Sequence, residues 1–335
     1  MEDFIKESRL PGVSVLIPLK APTAYLWEAL DRLEQVDYPD IEIIVLPDQL
    51  NLDCAWVGRC EVTFVPTGSV CPGKKRDMGV GRSSGEILAF LDDDTFPTKD
   101  WLRQAVNHFK DPSVGAVGGP AITPPSDGAL QQVSGLVYQS RLGGGNYAYR
   151  YIPKDQRDVD DYPTCNLLVR REVFEIAGGF DTSFWPGEDT KLCLAIVRDL
   201  GLRIVYEPGA IVYHHRRPIF RGHLAQVRSY ALHRGYFVKR FPETSLRLSY
   251  FLPTLLVAGL LGGGLLALMW NPLRIWFALE VGVYFGAILF SAASSSGERN
   301  QLWLTPLVIL GIIATHFVYG VWFVLGLLTP KLREE

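Results

Sequence analysis

Cysteine is scarce in this sequence and badly spaced for pairing. The five residues, Cys54, Cys60, Cys71, Cys165 and Cys193, are odd in number and form no CxxC pair. That argues against a disulfide framework and against a zinc site, and it fits reduced thiols on a cytosolic face. No secretory leader is expected either, because the opening MEDFIKESRL is polar and acidic. Internal repeats and low-complexity segments are absent. Net charge is only −3, and nothing points to a nucleic-acid partner.

Charge itself is missing from two long stretches. Residues 248–270 contain no ionisable group except the Tyr250 phenol, and residues 302–328 contain only His316 and Tyr319. Both exceed the roughly 20 residues that a helix needs to cross a bilayer. Residues 273–293 are apolar enough to cross as well, although Arg274 lies near one end and Glu280 inside. The expectation is a membrane domain over 248–330 with about three transmembrane helices. Glu280 falls about 10 Å into the second of them by helical rise. It faces a bundle interior, or the helix is shifted or re-entrant and leaves it near the interface.

Elsewhere charge is unevenly shared. Residues 1–209 hold 21 Lys/Arg against 31 Asp/Glu, a net of −10. Residues 210–247 hold eight cations (Arg216, Arg217, Arg221, Arg228, Arg234, Lys239, Arg240 and Arg247) against Glu243, a net of +7. Cations just before a span mark the cytoplasmic side and attract anionic headgroups. Residues 220–240 interleave aromatic and basic residues at helical spacing, which predicts an amphipathic helix lying in the bilayer surface. These features divide the chain into a catalytic domain at 1–215, a basic interfacial segment at 216–247 and the membrane domain. The expected location is the cell membrane, as an integral protein with its catalytic domain cytoplasmic.

The first part alternates strand and helix. VSVLI (13–17), IEIIVL (41–46), EVTFV (61–65) and ILAFL (87–91) read as strands, with SVGAVGG (113–119) following a helix over about 98–109. Helical spacing appears over 22–36 at Leu26, Ala29, Leu30 and Leu33, and a second helix covers 73–85, closed by Gly85. Such alternation predicts an α/β fold with a mostly parallel, doubly wound sheet, which binds ligands beyond the carboxyl ends of its strands. Asp48 and Asp92-Asp93-Asp94 stand at such ends. Three adjacent carboxylates repel, and each tends to raise its neighbour's pKa. They either cap the next helix or hold a hard divalent cation, with phosphate oxygens completing the shell.

The order VSVLIP, IEIIVLPD, GKKRDMGVGRSSGEILAFLDDDTFP, CNLLVRREVFEIAGGFD, GEDTKLC and HHRR resembles the family 2 glycosyltransferases, inverting enzymes with a GT-A fold. It covers about residues 12–240. The resemblance implies a Rossmann-like soluble domain and a nucleotide-diphosphate sugar donor. Pro18 and Asp48 then lie at the nucleoside, Lys74 and Asp77 near the nucleotide, and Asp92 and Asp94 form the DxD motif around variable Asp93. It also implies metal (Mn²⁺ or Mg²⁺) at Asp92 and Asp94 with His214, and His214 and Arg217 facing the diphosphate. Asn166, Gly178 and Gly179 fall on the acceptor side. Glu188 and Asp189 match the acidic catalytic pair, in which the aspartate is general base. LKAP after the first strand and LPDQL after the second depart from the family pattern, so the nucleobase stays open. The QxxRW motif of processive synthases is missing.

The chemistry of inverting sugar transfer asks for the same groups. A base must take a proton from the incoming hydroxyl, and cations must meet the charge developing on the leaving diphosphate. A helix opening at GEDTKLC would favour an ionised carboxylate at its start. The expectation is a membrane-anchored transferase acting on a lipid or lipid-linked acceptor, a polyprenyl phosphate or a polyprenyl-linked glycan. The alternatives are a processive polysaccharide synthase and a non-catalytic scaffold that binds nucleotide sugars.

Overall fold

A computed structural model describes residues 9–50, 56–180 and 184–332. The segment MEDFIKES, Cys54, Asp181 of GGFD and the last three residues of KLREE lie outside the described residues. The chain divides into two compact units. One comprises residues up to Pro120 together with Asp155–Val212, and the other Ala121–Lys154 together with residues from Tyr213 onward.

The strands are β1 (Val13–Pro18), β2 (Ile41–Leu46), β3 (Glu61–Phe64), β4 (Ile87–Leu91), β5 (Thr95–Pro97), β6 (Val114–Gly118), β7 (Ala121–Ile122), β8 (Arg157–Val159), β9 (Asn166–Arg170), β10 (Arg203–Tyr206) and β11 (Val212–His214). The helices are α1 (Ala24–Leu33), α2 (Pro72–Val80), α3 (Trp101–Val106), α4 (Ala129–Gln139), α5 (Arg171–Ile176), α6 (Glu188–Leu194), α7 (Arg221–Arg240), α8 (Pro242–Ser245), α9 (Leu248–Met269), α10 (Leu273–Glu298) and α11 (Thr305–Leu328).

In the first unit eight strands form one sheet, ordered β3-β2-β1-β4-β9-β6-β10-β8. Pairing is parallel from β3 through β4, and again between β10 and β6. The β9 strand runs antiparallel between β4 and β6, and β8 is antiparallel to β10. The result is a mostly parallel mixed sheet of GT-A type. Every residue of β1 and β4 is buried, as continuous apolar runs in a sheet covered on both faces require. Helix α1 buries Leu26, Ala29, Leu30 and Leu33, the four positions marked by its period.

Helix α2 is shorter than the expected 73–85. It ends at Val80 because the Glu42 carboxylate captures the next loop, accepting from Ser84 N–H at 2.5 Å and Gly85 N–H at 2.9 Å. Gly79 lets α2 approach the sheet closely: a Cβ there would come within 2.8 Å of Leu16 and Leu46 side-chain carbons.

The second unit is helical and takes in 121–154, which the sequence reading placed with the catalytic domain. The reason lies in the apolar face of α4. Val133, Leu136 and Val137 share one buried cluster with Ile288 and Ala292 of α10 and Val308 and Ile312 of α11. The three long apolar segments emerge as α9, α10 and Leu302–Leu328. All three are candidate membrane spans.

Candidate active site

The carboxyl ends of β1, β2 and β4 place Pro18, Asp48 and Asp92–Asp94 in the first unit. Pro18 is the buried last residue of β1. Asp48 is half-buried just beyond β2 and is ion-paired to Lys75. The Lys75 ammonium is itself buried and also donates to the Leu19 carbonyl at 2.6 Å. Lys74, the lysine singled out in the sequence, is exposed. One residue along a helix turns the side chain by about 100°, so the neighbour reaches the strand ends instead. Replacing Lys75 by Met strands a carboxylate and a carbonyl. It is expected to lower stability by about 2–3 kcal/mol, read as a shifted denaturation midpoint at unchanged slope.

Arg76, which the sequence reading passed over, joins the two acidic motifs. Its guanidinium is 2 % exposed and donates to Asp92 at 2.8 Å and to Glu188 at 3.1 Å. It lies 5.7 Å from the centre of the Phe180 ring. Its Nε–H is buried with no partner among the described residues. Glu188 is buried at the start of α6 and accepts the Gly187 N–H at 3.1 Å. Burial raises its pKa above the ordinary carboxylate value, against the opposing pull of Arg76. Asp189, next along the helix, is half-buried and accepts the Thr190 N–H at 2.8 Å. The pair therefore divides: Glu188 is locked to Arg76, and Asp189 keeps solvent access.

Asp77 accepts the Phe180 N–H at 3.0 Å and so holds the turn carrying Gly178 and Gly179. Both glycines have left-handed backbones, with φ of 81° and 69°. A Cβ at Gly179 would stand 2.8 Å from an Asp77 carboxylate oxygen, so only glycine fits. Asn166 departs from its expected acceptor-side role. Its side chain is fully buried, accepting from Trp101 Nε1 at 2.9 Å and donating to the Ala210 carbonyl at 2.8 Å. Its amide is committed within the unit.

His214 and Arg217 belong to the second unit. In HHRR the inner pair is structural. His215 is buried 2.6 Å from Asp127, while buried Arg216 donates to the Ala121 carbonyl and lies 3.1 Å from His214 Nδ1. The outer pair remains accessible, His214 half-buried and Arg217 exposed.

The acidic turn fits a hard cation. Burial first, then Asp94 and Asp92, push the Asp93 carboxyl up to about 7. That leaves negative charge in the turn which Arg76 does not fully offset, and hard oxygen donors suit Mn²⁺ or Mg²⁺. The shift also has a pH signature. The folded pKa of Asp93 exceeds the ordinary 3.8, so the folded chain holds this proton more tightly. The associated stability is full below about pH 4 and is lost as pH rises to about 7. Metal-free protein is expected to weaken across that window, and Asp93→Asn to remove that part of the slope. Thermal melts of both proteins at stepped pH check this, and equal slopes would contradict it.

Comparison with known proteins decides the family. The model for "Glycosyl transferase family group 2" matches residues 87–325. The chain belongs to that family. A pre-mycofactocin glycosyltransferase of Mycobacterium tuberculosis is 27 % identical over 217 residues, covering 65 % of this chain and 42 % of that protein. A glucosyl-dolichyl phosphate glucuronosyltransferase of Haloferax volcanii is 24 % identical over 151 residues, covering 42 % of this chain and 46 % of that protein. This family member thus matches less than half the length of either relative. Its fold resembles the mannosyltransferase PcManGT of Pyrobaculum calidifontis, solved with GDP-Man and Mn²⁺. The TM-score is 0.52 at 21 % identity, covering 82 % of this chain and 85 % of that one.

Proposed function

We propose that the protein is a metal-dependent, inverting glycosyltransferase. It moves a sugar from a nucleotide-diphosphate donor to a membrane-borne acceptor, a polyprenyl phosphate or a polyprenyl-linked glycan, at the cytoplasmic face of the cell membrane. The observation that carries this reading is the buried Arg76, which ties the Asp92 turn to the Glu188-Asp189 pair. The acid turn read as the donor side and the carboxylate next to the proposed base thereby share one cation, in a chain of this family.

Asp92 and Asp94, with His214, are the residues that would hold Mn²⁺ or Mg²⁺. Bound there, such an ion would supply positive charge against the leaving diphosphate. Pro18, Asp48, Asp77 and Asp93 stand on the nucleotide side, with Lys75 at Asp48 in the place first given to Lys74, and Arg217 adds a cation at the diphosphate. Asp189 takes the proton from the acceptor hydroxyl as that oxygen attacks the anomeric carbon. Glu188, held by Arg76, positions Asp189 at the helix start. Gly178 and Gly179 leave backbone room for the acceptor. A lipid acceptor is supported by the three apolar helices and by the dolichyl phosphate in the Haloferax relative's name.

The test supplies labelled UDP-, GDP- and dTDP-sugars with Mn²⁺ and follows label into organic solvent, with and without polyprenyl phosphate. Label extracted only when the lipid phosphate is present supports the reading. Equal transfer to a soluble acceptor without lipid contradicts it.

A further inference from the structure

Within the second unit the three candidate spans have unequal surroundings. Of the apolar window in α9 11 % is buried inside the protein, in α10 17 %, and in Leu302–Leu328 39 %. Helices α9 and α10 form a hairpin turning at Trp270-Asn271-Pro272. Its outer half is bare: Leu261, Leu265, Leu268, Ile275 and Val283 are each at least 60 % exposed. The tip carries exposed Trp270 and Trp276, with Arg274 donating to the Ala267 carbonyl at 3.1 Å. Trp beside a cation is the pattern of a membrane–water interface. At about 1.5 Å per residue, α9 is about 33 Å long and α10 about 39 Å, enough for a hydrocarbon core of roughly 30 Å. Glu280 is exposed on α10, one carboxylate oxygen 2.8 Å from where a Cβ on Gly259 of α9 would stand.

Helix α11 does not accompany the hairpin toward its tip. On α10 it packs with Ala292 and Ile288, and His316 meets the Tyr284 hydroxyl at 3.0 Å. These positions lie about 30, 24 and 18 Å from Pro272 along the helix. Farther along α11 the neighbours are on α9 and near its start. Thr254 donates to the Gly320 carbonyl at 2.9 Å, and the Phe251 and Phe323 rings are 4.9 Å apart. Those positions are about 24 and 28 Å from Trp270. Both helices are therefore met about 18–30 Å from the tip, in the half of the hairpin farther from it.

The C-terminal half of α11 is also sheathed by α7, whose cations are Arg221, Arg228, Arg234, Lys239 and Arg240. Gly235 and Gly326 allow close contact, since a methyl group at either would overlap the Phe323 or Leu232 carbonyl. His223 meets Thr315 at 2.9 Å, Arg228 lies 4.4 Å from the centre of the Trp322 ring, and Lys239 donates to the Thr329 carbonyl at 2.7 Å. A crossing α11 would draw Arg228 and Arg234 into hydrocarbon, where guanidinium groups are costly.

We propose that only the α9–α10 hairpin crosses the bilayer, while α11 lies across its base beside α7 at the membrane surface, keeping Lys331 on the α7 side. The inference goes beyond the proposed activity and holds whatever sugar or acceptor is used. It is tested with three full-length variants at exposed positions, Arg221→Cys, Asn271→Cys and Lys331→Cys, in sealed membrane vesicles from expressing cells. A membrane-impermeant maleimide is added and its sites are read by peptide mapping, so the native cysteines stay. The expected result is that positions 221 and 331 label from the same side, and position 271 only from the other. Labelling of 331 together with 271 would show three crossings and overturn the proposal. So would labelling of 271 on the side of 221, or no labelling of 271 from either side.

Discussion

Replacing Arg76 by methionine lowers the stability of the metal-free protein by about 3–5 kcal/mol, the range for removing one partner of a buried ion pair. Two carboxylates lose their cation in that variant, but unequally. The Asp92 side chain is 35 % exposed and regains water, whereas that of Glu188 is 7 % exposed and cannot. Most of the loss therefore sits on Glu188, and it depends on pH. Burial already raises the folded pKa of Glu188 above the ordinary 4.5, and losing Arg76 raises it further. Stability linked to such a group is full below its unfolded pKa and falls as pH rises through the folded one. The gap between variant and wild type should be small near pH 4 and widen toward neutrality. Denaturation midpoints at stepped pH check this. A gap that stays constant would show that Arg76 contributes packing against Phe180 rather than charge.

Asp189→Asn should lower the transfer rate by about 10²–10⁴-fold, the usual contribution of a general base, with melting temperature and donor binding little changed. Asp189 is half-buried, and the helix N–H it accepts comes from Thr190, which an amide oxygen can also meet. Glu188→Gln provides the contrast. It removes the charge that Arg76 faces, so its effect should fall on stability as well as rate. Rate and melting temperature measured on both variants separate the roles. A large stability loss in Asp189→Asn with normal turnover would reverse the assignment.

Much of the first unit was legible in the sequence because its central strands are uninterrupted apolar runs and α1 has a clean helical period. The carboxylates at the strand ends followed from those runs. Helix α2 resisted, since GKKRDMGV has too few apolar residues to set its phase. The family resemblance points to Lys74, whereas Lys75 and Arg76 are the buried pair. Asn166 opens a buried antiparallel strand, and no local pattern distinguishes strand direction. Only the fold shows that the apolar face of α4 packs with α10 and α11. Hydropathy likewise measures whether a helix could cross a membrane, not what already covers it, which is why α11 reads like α9.

The most direct test of sugar transfer is release of nucleoside diphosphate by purified protein in Mn²⁺ with polyprenyl phosphate, from a panel of UDP-, GDP- and dTDP-sugars. Release from one donor is expected, lost on chelation and lost in Asp189→Asn while that variant still binds the donor. Binding without release from any donor, equal in wild type and variant, would contradict catalysis and leave a nucleotide-sugar-binding scaffold.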